Sequence, residues 1–172
     1  LFYGGGNKNP QEAAMKVDIQ TEHHWLEKMT GDWEIIPDPS LPEAERTTEW
    51  IERGRMLHGV WLVVEGHGQM PGGGEATTLM TLGFDRAKGR FVGSWAGSMM
   101  DHLWVYDGHW NEAHKSLSLD CEGPDWENPG QTLKYRDIYT LNDDNTRTLT
   151  AMVQSADGEW NRLMQNHYRR VG

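Results

Sequence analysis

A chain of 172 residues with 26 acidic and 16 basic side chains, net charge −10, is sized for one domain. That balance argues against a general nucleic-acid binder and against docking on anionic lipid, since both draw their affinity from Lys and Arg. The one cysteine, Cys121, excludes an internal disulfide, and no run of about 20 apolar residues is present to span a bilayer as a helix.

The first residues include Gly4, Gly5 and Gly6 and lack the basic-then-apolar order of a signal peptide. They read as a flexible tail over residues 1–17, either loose or a remnant of cloning, ahead of a single domain over 18–172; prior removal of a cleaved precursor segment is compatible with this. The cytoplasm is the default compartment, and the periplasm is also compatible. Asp18 to Lys28 is the one helix candidate: Thr21 can cap it, His24 stands at the capping-box position, and Trp25, Leu26 and Met29 follow helical spacing up to Gly31.

From Trp33 the period changes to that of extended chain. After Trp33–Ile36 and a link through Pro37, Pro39 and Pro42, strand-like runs follow at 45–55, 60–67, 76–84, 90–96, 102–106, 115–121, 132–141, 146–154 and 160–170. Turn chemistry separates them: Pro71–Gly74, the Asp85–Gly89 loop with Gly89 at positive φ, the Asp107–Gly108 and Asp157–Gly158 pairs, and Asp143–Asn145. No helix-length pattern lies between the runs, so there is no βαβ unit and no parallel sheet. Ten short antiparallel strands either close into a barrel or split into a sandwich. Short connections favour an all-β, up-and-down barrel with the helix at one mouth.

Strand alternation sets His102, Trp104 and Tyr106 on one face and Leu103 and Val105 on the other. Large rings with polar tips suit an interior that orients a ligand, although cross-strand packing accounts for them equally well. With the thioethers of Met99 and Met100, which mould to irregular apolar surfaces, the ligand-binding candidates are Trp95, Met99, Met100, His102, Trp104, Tyr106, Tyr135, Asn166 and Tyr168. Asp137, between Tyr135 and Tyr139, is expected to pair with an arginine from another strand.

For catalysis the candidates are few: His102 or His167 as a general base with Glu65 or Asp137, if the fold brings them together. Cys121 reads as a small buried hydrophobe. His23 and His24 point apart on a helix, and no zinc or calcium spacing occurs, so no metal site is expected. No cofactor is expected either; haem on a single imidazole is the alternative. The expected partner is a small apolar molecule, with neither nucleic acid nor membrane, and a homodimer remains open. An enzyme and a protein-interaction module are the competing functions.

In order along the chain stand HWLEKMTGDW at His24–Trp33, MPGGGEATTLMTLGFD at Met70–Asp85, GRFVGSWAGSMM at Gly89–Met100 and HLWVYDG at His102–Gly108. YRD at Tyr135–Asp137 and HYRR at His167–Arg170 complete the series. This pattern resembles the bacterial family known as domain of unknown function 1579, from Glu22 to Arg170. The resemblance implies a small barrel similar in architecture to lipocalins and fatty-acid-binding proteins, which carry small apolar molecules, and more distantly to haem-binding barrels. It implies no activity and no site residue, because no ligand-binding motif is shared.

Overall fold

The computed structural model describes residues 17–172, so the expected tail over 1–17 lies almost wholly outside the described residues. Ten strands follow one helix: β1 Gly31–Ile36, β2 Trp50–Leu57, β3 Trp61–Gln69, β4 Glu75–Asp85, β5 Arg90–Gly97, β6 Trp104–Asn111, β7 Ser116–Pro124, β8 Thr132–Leu141, β9 Thr146–Gln154 and β10 Trp160–Val171. Every strand pairs antiparallel with its neighbours in sequence, and β1 pairs with β10 to close the barrel, with Trp33 opposite Arg170 and Ile35 opposite Tyr168. This is the up-and-down barrel; the sandwich is ruled out. Closure leaves no sheet edge.

The turns are built as their sequences direct. Gly89 and Gly158 take positive φ (64° and 88°), and aspartates brace several loops through their own carboxylates. Asp143 accepts from the Asn145 and Thr146 backbones at 2.7 Å, and those bonds hold its carboxyl below the usual range. Asp107–Gly108, however, is not a turn. β6 runs straight through it to Asn111, and the reversal comes after Glu112. Asp107 faces out and pairs with Arg90 at 2.9 Å, whereas Gly108 faces in, where a Cβ would stand 2.6 Å from Leu119 Cδ2. That glycine is there for interior space. Strand bounds also move, most of all where β2 begins at Trp50 behind a 3-10 turn at Glu43–Glu45 and where β6 begins at Trp104, leaving His102 in the preceding loop.

Helix α1, Thr21–Glu27, lies over one mouth against β3 and β4. Its N-cap is Gln20 rather than Thr21, and its capping-box partner is His23 rather than His24: the Gln20 N–H donates to His23 Nδ1 at 2.9 Å. This register turns His23 and Leu26 inward and leaves His24 in solvent beside Glu27. Seven residues make a marginal helix in water, so packing holds it. Trp25 stacks on Trp110 at 4.6 Å, and Leu26 and Met29 are buried in the core. Arg170 fastens the helix exit, donating to the carbonyls of Lys28 (2.9 Å) and Thr30 and lying 4.3 Å over the Trp33 ring.

Several inward residues toward that mouth, Trp33, Leu62, Leu82, Phe91 and Leu117, are fully buried, each worth about 1.5–3 kcal/mol of removed apolar surface. No helix among the described residues is long and apolar enough to cross a membrane.

Candidate functional site

The ten strands give the barrel two unlike ends. Toward α1 the helix covers the interior, where Trp33, Leu62, Leu82, Phe91 and Leu117 are fully buried and Met56, Phe84, Trp110 and Leu141 partly so. Toward the far end, formed by the loops after β1, β3, β5, β7 and β9, several inward side chains keep water-accessible surface: Trp95, Trp104, Asp137, Ala151, Val153 and Asn166. Alternation from buried Tyr106, Tyr139, Leu149 and Tyr168 fixes them as inward-facing. A register shift in β10 between Arg162 and Met164 interrupts the ladder on this side.

Trp104 heads a cluster at the far mouth. Its ring meets Tyr135 edge-on at 4.9 Å and His102 at 4.8 Å, and its Nε1 donates to Met100 Sδ at 3.1 Å. The indole lies flat on Gly123 of the neighbouring strand, where a Cβ would collide with it, so the ring lines the wall instead of crossing the interior. Trp95 stands opposite Trp104 in the β5–β6 register and covers Gly97 together with Met99. Leu103 and Val105, at 55% and 63% exposure, face solvent. The candidates Trp95, Met99, Met100, His102, Trp104 and Tyr135 therefore meet at one mouth.

Halfway down, Tyr106 donates to Asp137 Oδ2 at 2.6 Å. The expected arginine partner for Asp137 is not there. Among the described residues no cation pairs with it, and Arg136, next in the chain, turns outward onto Asp120 at 2.5 and 3.0 Å. Burial raises the Asp137 carboxyl above its usual range, and the Tyr106 hydrogen bond only partly opposes this. Burial, with the adjacent carboxylate second, holds the Tyr106 hydroxyl well above its usual range as well.

The interior arginine belongs to another pair, which sequence reasoning missed. Arg147, 0% exposed, donates through Nη2 to Glu52, and Glu52 also accepts from Trp50 Nε1 at 3.2 Å. The guanidinium is boxed by rings: Trp33 at 4.5 Å, Tyr168 at 5.1 Å and Tyr139 at 5.9 Å. Its Nε and Nη1 find no hydrogen-bond acceptor among the described residues. The candidate Tyr168 thus belongs to this sealed cluster rather than to the far mouth, and Asn166 lies one rung above it on β10.

The acid–base candidates are not brought together. His102 contacts the Glu122 carbonyl at 3.1 Å through Nε2. His167 sits on the outer wall, its Nδ1 3.0 Å from Thr148 Oγ1, beside a groove of about 400 Å³ that also contains Asp38. Glu65 is exposed on the outer face of β3, while Asp137 is inside. Among the described residues no hydrogen bond joins either imidazole to either carboxylate. Cys121 is buried, and burial pushes its thiol up to about 12, which leaves it protonated and a poor nucleophile. No three His, Cys, Asp or Glu side chains gather in a metal-holding group among the described residues. A second groove, of about 450 Å³, lies at the helix end between Trp25, Trp110 and Arg170, and neither groove includes Asp137 or Trp104.

The far half of the interior therefore offers an aromatic and thioether wall above one aspartate, Asp137, that no cation among the described residues neutralises. That arrangement can hold a small molecule by its apolar body and fix one polar atom. No curated protein matches the chain. One family model does, over residues 18–170, and the chain accordingly belongs to the family described as protein of unknown function, DUF1579.

Proposed function

We propose that this barrel binds a small, mostly apolar molecule in the far half of its interior. One observation carries the reading: Trp95, Trp104, Asp137, Ala151, Val153 and Asn166 face inward yet keep water-accessible surface, at the end opposite the helix. The surface of Trp95, Trp104, Ala151 and Val153 is largely apolar area left unburied by folding, and a ligand that covers it gains about 25 cal/mol per Å². The indole of Trp104 on Gly123 supports the same reading, because a wall-hugging ring widens the interior. In architecture the barrel is comparable to small-molecule carriers, a likeness of fold alone.

The test uses the neutral fluorophore N-phenyl-1-naphthylamine. Wild-type protein is expected to bind it saturably, one per chain, with a rise in emission. Ala151→Trp, which fills the interior, should abolish that binding, and Val105→Trp on the outer wall should leave it intact. Native mass spectrometry of freshly purified protein should also show a retained small mass. Absence of saturable binding, or equal binding by Ala151→Trp and wild type, would remove the reading. A Soret band in the purified protein would redirect it to haem.

A further inference from the structure

The polar groups inside the barrel differ in what they leave for a ligand. Glu52 and Arg147 neutralise each other and are enclosed by Trp33, Tyr139 and Tyr168. An anion seeking Arg147 would have to displace Glu52 and part those rings, leaving a buried carboxylate without its cation.

Asp137 is the reverse case. It faces the interior without being fully buried, its one hydrogen-bond donor among the described residues is the neutral Tyr106 hydroxyl, and no cation among them pairs with it. A hydroxyl can stabilise a carboxylate but cannot cancel its charge. One rung toward the mouth stand Tyr135 and the Trp104 ring packed edge-on against it, and aromatic faces attract ammonium groups. The chain's charge of −10 favours approach of a cation over an anion.

We propose that the lumen takes a small apolar amine, with its ammonium on Asp137 and its hydrocarbon among Trp95, Trp104 and Val153. This rests on the reading of the lumen as a small-molecule site and adds the chemistry of the ligand's polar end. The ammonium supplies the counter-charge that the protein withholds from Asp137, in a charge-assisted hydrogen bond. A carboxylic acid of the same length would set two like charges together, and an alcohol would give only a neutral hydrogen bond.

Three probes of equal chain length separate these cases: n-octylamine, 1-octanol and octanoate, titrated calorimetrically into the full chain at neutral pH. The amine is expected to bind about tenfold or more tightly than the alcohol, with octanoate weakest. Asp137→Asn should collapse the amine-to-alcohol ratio toward one. Tyr106→Phe, which keeps the carboxylate and removes its neutral partner, should preserve the ratio. Alcohol or octanoate binding as tightly as the amine, or an unchanged ratio in Asp137→Asn, would overturn the amine proposal and leave the small-molecule reading standing. If none of the three binds while N-phenyl-1-naphthylamine does, the amine proposal falls and the small-molecule reading stands.

Discussion

The two halves of the barrel interior are built from the same alternation of strands but reach opposite outcomes. Near α1, Trp33, Phe91 and Leu117 are fully buried, and the charge pair of Arg147 with Glu52 is enclosed by rings. At the far end the large rings lie along the wall, Ala151 is small, and Asp137 is left with a hydroxyl instead of a cation. The first half holds the fold. The second keeps a polar group and apolar surface available, which a protein designed only for stability would have filled.

The largest expected break in this contrast is at Arg147. Arg147→Met should cost about 3–5 kcal/mol in urea unfolding, because Glu52 would lose its cation in a buried site; adding Glu52→Gln should restore most of it. A small loss for the single variant would mean that the closed half admits water. Next comes Gly123→Ala, whose Cβ collides with the Trp104 ring. It should cost about 1–3 kcal/mol and also weaken N-phenyl-1-naphthylamine binding, because the indole is driven into the lumen. Loss of stability with unchanged binding would separate Trp104 from the site.

Asp137→Asn should act in the opposite direction. The folded carboxyl takes up its proton more readily than the unfolded one, whose ordinary value is 3.8. Stability is therefore fully present below 3.8 and is lost as pH rises through the raised folded value. The variant should melt a few degrees above wild type at pH 7, and thermal scans toward pH 3.8 should bring the two together. A destabilised variant at pH 7 would show that the charge is compensated in the folded protein. The smallest effect belongs to the outer wall: Val105→Thr should change stability by no more than about 0.5 kcal/mol and leave probe binding unaltered.

All ten strands and the barrel could be read from the sequence, because period-two runs were separated by turn residues whose conformations the structure reproduces, such as Gly89 and Gly158. Gly108 misled because a glycine after an aspartate has the same appearance whether it makes a turn or clears space for Leu119. Capping of α1 slipped by one residue because Gln20 and His23 can form the reciprocal pair that Thr21 suggested. The Arg147–Glu52 pair joins residues 95 apart, a distance over which no local period speaks. Part of the signal was present: Thr146, Thr148 and Thr150 make a polar stripe, which sets Arg147 on the same face as Leu149, Ala151 and Val153. Only barrel closure adds that Glu52 waits on that face. The gathering of the aromatic and methionine candidates was foreseeable for residues on β5 and β6, and the assignment of Tyr168 to the other half was not.

The division into a closed and an open half is tested most directly by thiol labelling in a Cys121→Ala background. Ala151→Cys should react with a small maleimide in the folded protein, at a rate independent of low urea concentrations. Leu117→Cys, fully buried one rung nearer α1 and opposite Tyr139, should react only as the chain unfolds. Protection of both cysteines until global unfolding would contradict the account, since the far half would then be as solid as the near one.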